Sequence, residues 1–268
     1  DNPITWQEPN ILRNPVQVDD LYHATINGRG QMLNATTPDE ISLKMRAVME
    51  AIRNEIGSSS ATAANSTSLQ TDSQIFQARF DSSDWSGQLL AYNLDDSGNI
   101  EDPAAWDAGD EINGQSAASR DILTYGRDSR DGIPFTWDAI SAQGDATQAT
   151  SLNTDAFGTL DNLGLERVAF LRGEEVTGFR TRSSKLGDIV YSSPLYVGSP
   201  RGRHPGESYG DFIIANRDRD PIIYVGANDG MLHGFDLDTG EERVAYVPGP
   251  VYPNLSHLTD PDYGNENL

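Results

Sequence analysis

The stretch YVGANDGMLHGFDLDTGEE, residues 224 to 242, restricts the architecture more than any other part of the chain. Tyr224-Val225-Gly226 runs into Asn228-Asp229-Gly230, Met231 to Leu237 returns to Asp238-Thr239-Gly240, and a third segment opens at Arg243. Asp-Gly and Thr-Gly pairs reverse a chain because Gly takes positive φ at no steric cost. The residues between the turns are rich in β-branched and aromatic types, as strands are. The pattern predicts three antiparallel strands joined by tight turns, with Val225, Leu232 and Phe235 filling space between neighbouring sheets. Such a unit makes most of a propeller blade, although a meander in another sheet reads the same way.

Similar segments recur between turn signals at 75–80, 85–94, 120–125, 187–197, 211–215, 221–225, 231–237 and 243–247, a spacing that predicts a mainly β fold. In a further hairpin, Leu89, Ala91 and Asn93 precede Asp95-Asp96-Ser97-Gly98. Trp85, Leu89 and Tyr92 suit a strand whose bulky groups pack on a neighbouring blade, and Gly87 suits a tight approach or a bulge. Ile189, Val190, Leu195 and Val197 surround Ser192-Ser193-Pro194, which marks an edge strand or a crossing between blades. The region from Asp81 to Gly187 holds long, acidic, Gly- and Ser-rich connections that a compact propeller does not need, and partner contacts are expected there.

Upstream the character changes. Residues 1–36 are turn-rich without a sustained period and read as an irregular lead-in. A single amphipathic helix follows: Thr37 caps it, Pro38 takes its first position, Glu40 completes the box, Ile41, Met45, Val48, Met49, Ile52 and Ile56 form the apolar face, and Gly57 ends it. Between Ser58 and Ser73 the sequence is nearly all Ser, Ala, Thr, Asn and Gln, too poor in apolar groups to offset the entropy of ordering. The expected domains are therefore 1–57 as lead-in and helix, 58–73 as linker, and 74–268 as the first part of a propeller. At about 40 to 45 residues per blade, the last region holds roughly four blades in an unclosed ring.

The chain carries 41 acidic against 19 basic residues, a formal net charge of −22. So acidic a surface repels phosphate backbones, and nucleic acid is not an expected partner. No apolar run is long enough for a transmembrane helix. With no Cys there is no disulfide framework, thiolate metal site or Cys nucleophile. The sequence starts at Asp1 without an initiator Met or an apolar leader and reads as an internal fragment.

Catalytic patterns are missing. His23, His204, His233 and His257 are far apart, and neither an H-E-x-x-H motif, a G-x-S-x-G elbow nor a G-x-x-x-x-G-K-[ST] loop occurs. His23 and His233 read as satisfied, partly buried imidazoles. No catalytic, cofactor-binding or metal-ligating residue is assigned, and the chain is not expected to be an enzyme.

Four blocks in order carry a wider resemblance: DDLYHATINGRGQML (19–33), FDSSDWSGQLLAYNLDDSGNI (80–100), FRTRSSKLGDIVYSSPLYVGSP (179–200) and YVGANDGMLHGFDLDTGEERVAYVPGPVYPNLSHLTDPDY (224–263). Together they resemble the PilY-type family, large secreted proteins of type IV pili with a C-terminal propeller. The resemblance implies an incomplete, quinoprotein-like β-propeller in a pilus biogenesis and adhesion factor. It implies a scaffold at the cell surface or pilus tip, reached through the periplasm. Implied partners are pilin or minor pilins, pilus tip components, and host or abiotic surface ligands.

The family is also associated with calcium through an Asp/Asn loop. Asn216, Asp218 and Asp220 alternate suitably, but Pro221 follows and the Gly and the bidentate Glu of such a loop are missing. Asp95 to Asp102 lacks the spacing as well, so both read as turns and any calcium loop is expected beyond Leu268. The alternative function is a fragment of a dehydrogenase that uses pyrroloquinoline quinone on a propeller axis. That reading requires several Trp-bearing A-x-D-x-x-T-G repeats; this chain offers one such segment, followed by Val244-Ala245-Tyr246.

Overall fold

The computed structural model describes residues 37, 40, 44, 61–64, 74–95, 97–200, 202 and 207–264. The chain divides into two compact units, Asp1–Glu55 and Ile56–Leu268. In the first, Glu40 and Lys44 are helical, and the Glu40 N–H donates to Thr37 Oγ1 at 3.2 Å, the N-cap bond expected from the sequence. The irregular lead-in and the rest of the amphipathic helix lie outside the described residues.

Among the described residues, the second unit is built on two sheets. Strands β1 (Ala61–Ala64), β2 (Gln74–Asp81), β3 (Ser86–Asn93) and β4 (Trp106–Asp107) form a four-stranded antiparallel sheet in sequence order. β1 falls within the expected linker, so four residues of that Ser- and Ala-rich stretch pair along the edge of β2. The second sheet has the order β6-β5-β10-β9-β8-β7, from β5 (Ile122–Tyr125), β6 (Gly132–Pro134), β7 (Leu195–Val197), β8 (Ile222–Ala227), β9 (Met231–Asp236) and β10 (Glu242–Val247). From β7 to β10 it is an antiparallel meander, the form of a propeller blade. Beyond it, β5 pairs parallel to β10.

The turns of this meander follow the chemistry of their residues. Gly230 and Gly240 sit at φ +87° and +74°, where a side chain is strained. Asp236 Oδ1 accepts the N–H groups of Asp238 and Thr239 at 3.0 and 3.1 Å and so fixes the second turn. Of the three residues expected to fill space between sheets, Val225 and Phe235 are buried, but Leu232 is 42% exposed. Alternation explains this: Met231, His233 and Phe235 share the inward face of β9, which leaves Leu232 on the other.

The two sheets pack face to face. Phe76, Ala78, Leu89, Ala91 and Trp106 of the first meet Ile223, Val225 and Phe235 of the second, with Ile112, Leu186 and Ile189 completing the cluster. Trp106 also donates its indole N–H to Leu237 O at 2.9 Å. A second cluster gathers Ile122, Phe135, Ile140, Leu152, Val168, Phe170, Ala245, Val247 and Tyr252. Gly87 is a point of close approach, as expected: its N–H donates to Leu186 O at 2.8 Å, and a Cβ there would lie 2.0 Å from Gly187 O.

Several expectations are corrected. Residues 211–215 are not a strand but part of helix α5 (Glu207–Asn216), where Tyr209 and Phe212, three apart, stack at 5.8 Å. Of 187–197 only β7 is a strand; it is an edge strand, as Pro194 suggested. Trp85 precedes β3 at φ +57° and is not part of it. Between 81 and 187, residues read as loose connections fold into α1 (Ala108–Gly114), α2 (Trp137–Ser141), α3 (Thr147–Leu152) and α4 (Gly164–Arg172). The Asp107 and Thr136 side chains cap α1 and α2 by accepting from Gly109 and Ala139 N–H.

Candidate functional site

Met231 belongs to one apolar cluster and Phe235 to the other, so His233, between them on the same face of β9, marks the seam where the two meet. The seam is ionic. Glu242 opens β10, and its carboxylate accepts from Arg120 Nε at 2.6 Å, Arg120 Nη2 at 2.9 Å and His233 Nδ1 at 2.7 Å. His233 Nε2 reaches the two oxygens of Asp229 at 3.0 and 3.2 Å. Asp229 also accepts the N–H groups of Gly187 at 2.9 Å and Met231 at 3.0 Å.

All four side chains are buried, and the imidazole is 0% exposed. Burial opposes charge on His233, but the carboxylates of Asp229 and Glu242 outweigh it and raise the imidazole to about 9. Burial likewise resists ionisation of Glu242, and its bonds to His233 and Arg120 overcome that and hold it at about 2. Asp229 is lowered for the same reason, through His233 and the Gly187 N–H. At neutral pH the group is thus two cations and two anions, fully paired. A second arginine closes it from outside: Arg120 Nη1 donates to Arg172 O at 2.8 Å, and Arg172 Nη2 donates to Arg120 O at 2.9 Å.

Chemically this is a strut. Both imidazole nitrogens are engaged and no solvent reaches the ring, so His233 has no free position from which to take a proton. What the network joins is informative: the loop before β5, the turn between β8 and β9, the start of β10, and the crossing segment at Gly187.

Beside the strut lies a cavity of about 570 Å³ whose walls include Trp85, Asp188, Asn228, Leu255, His257 and Tyr263. Burial pushes the Asp188 carboxyl up, and Asn228 Nδ2 donates to it at 2.6 Å. The Arg180 guanidinium lies 4.3 Å from the centre of the Tyr263 ring.

The residues considered from sequence as calcium ligands do not converge. Asn216 donates its side-chain amide to Phe212 O at 2.9 Å, and Asp218 pairs with Arg217 at 2.9 Å. Asp95 accepts from Ser97 and Asn99 N–H, each at 2.8 Å, a turn as expected. Among the described residues no group of three His, Asp or Glu is placed to hold a metal. His23 and His204 lie outside the described residues; His257 is at the surface. Sequence reasoning missed Arg120 and Glu242, and took Asp229 only as a turn residue.

The PilY1 beta-propeller domain family matches residues 186–261, which contain β7 to β10 and three of the four strut residues. Type IV pilus biogenesis factor PilY1 of Pseudomonas aeruginosa strain UCBPP-PA14 is 34% identical over 276 residues, covering 96% of this chain. The chain belongs to the PilY-type family. Further PilY-type relatives are the protein of the same name from P. aeruginosa strain PAK, 34% identical over 97% of the chain, and a PilY1 homolog of Xylella fastidiosa strain Temecula1, 32% identical over 78%. The chain spans about a quarter of the P. aeruginosa proteins (24%) and 16% of the X. fastidiosa one. No solved structure matches this PilY-type chain significantly.

Proposed function

We propose that the chain is a contact-making scaffold within a type IV pilus biogenesis factor, acting at the cell surface or pilus tip and binding pilus components. The observation that carries this reading is the 34% identity with a named pilus biogenesis factor over 96% of the chain. The geometry supports it. The most highly charged buried constellation is spent on bracing one sheet against the loops around it, which suits a body that must present surfaces without deforming. Adhesion, through loops that meet host or abiotic surfaces, belongs to the same proposal.

The test is genetic and biochemical. Removing the codons for residues 74–264 from the native gene is expected to lower the number of surface pili and to stop twitching. Wild-type piliation and motility in that strain would overturn the reading.

A further inference from the structure

Two loops of the chain are built alike. In the first, Leu94 and Ile100 form an antiparallel bridge, Asp95 N–H donates to Asn99 O at 2.9 Å, Asp95 Oδ1 accepts from Ser97 and Asn99 N–H at 2.8 Å each, and Gly98 sits at φ +81°. In the second, Thr154 and Leu160 form the bridge, Asp155 N–H donates to Thr159 O at 2.8 Å, Asp155 Oδ1 accepts from Phe157 and Thr159 N–H at 2.9 and 2.7 Å, and Gly158 sits at φ +82°. Their sequences, LDDSGNI and TDAFGTL, share the Asp and the Gly and differ elsewhere, most in bulk at one position. The first loop carries Ser97 where the second carries Phe157, and Phe157 is 72% exposed.

The first loop therefore serves as an internal control: the scaffold is satisfied by a serine at that position, so the turn does not require the phenyl ring. Nor is the ring alone. Leu160, Leu163 and Leu165 are exposed within the same short stretch. The backbone beneath them is pinned by Asn153 Oδ1, which accepts from Gly164 N–H at 2.9 Å, and by the Asp161–Arg167 pair at 2.5 Å. A rigid apolar projection loses little entropy on binding, as an interface anchor should.

Charge identifies the occupant. From Ala146 to Glu166 the sequence has no Lys, Arg or His; Asp161 is neutralised by the 4% exposed Arg167, which leaves Asp155 and Glu166 as the acids of the stretch, with the exposed His257 lining the groove beside Asp155. We infer that Phe157 and its neighbouring leucines form the knob by which this chain docks into a protein partner that has an apolar cleft rimmed by Lys or Arg. The inference rests on the pilus-scaffold reading and assigns a surface to it.

The experiment uses the protein encoded in its native gene, with the amount recovered on sheared, washed pili measured against the total exported. Phe157→Ser, which copies the sister loop, is expected to leave export unchanged and to lower recovery on pili by more than about tenfold. Glu166→Lys, at a half-buried position in the first turn of α4, is expected to lower it as well by opposing the basic rim, and it decides the question should Phe157→Ser reduce export. Tyr191→Ser removes an exposed ring elsewhere and is expected to change nothing. Undiminished recovery of both knob variants, or an equal loss with Tyr191→Ser, overturns the assignment and leaves the scaffold reading intact. Absence of the wild-type protein from pili overturns both.

Discussion

Replacing His233 by Gln tests the strut through its dependence on pH. Raising the imidazole from 6.5 to about 9 corresponds, at about 1.4 kcal/mol per decade of proton affinity, to about 3 kcal/mol of folding stability. The same electrostatic energy depresses Glu242 and is counted once. Because the folded pKa is raised, the contribution is complete below 6.5, shrinks as pH rises, and is gone above about 9. Urea unfolding followed by tryptophan fluorescence at about pH 6 and about pH 9.5 measures it. Wild type is expected to lose about 3 kcal/mol more across that interval than His233→Gln does. The variant is also expected to be less stable at the lower pH by about 3 to 5 kcal/mol, since it leaves buried carboxylates without their cation. Equal losses in the two proteins would refute the assignment of a charged, doubly bonded imidazole.

Other perturbations reach the same structure by different routes. Gly87→Ala places a methyl group 2.0 Å from Gly187 O and is expected to cost about 3 kcal/mol or more in chemical unfolding. Tyr252→Phe removes a hydroxyl that donates to Thr124 Oγ1 at 3.0 Å, which thermal melting should register as a loss of about 1 kcal/mol. In acid, Glu242 stays ionised to about 2, so its contribution is complete above 4.5 and fades only as pH falls toward that value. A Glu242→Gln variant is therefore expected to show a flatter acid titration of stability than wild type.

How much of this the sequence disclosed depends on how local the signal is. The β8, β9 and β10 meander was legible because its two turns are written in neighbouring residues, Asp229-Gly230 and Thr239-Gly240. Helix α5 was misread because Phe212-Ile213-Ile214 is a short apolar run, and such runs carry no period that separates strand from helix. Helices α1 and α2 are brief, yet their capping residues, Asp107 and Thr136, were visible signals. The strut was illegible as a unit, since Arg120 reaches it across 122 residues of sequence from Glu242. The inward position of His233 was available from alternation with Met231 and Phe235, and would have asked for acidic partners.

The parallel pairing of β5 with β10 has a consequence in time. Ile122 finds its partner in Ala245, so a chain made from its amino end has to extend far past the first strand before that strand can be joined. Non-local pairing of this kind slows folding, and it leaves an open strand margin on the unfinished chain. A polypeptide with this arrangement is expected to be slow to lock into its final form.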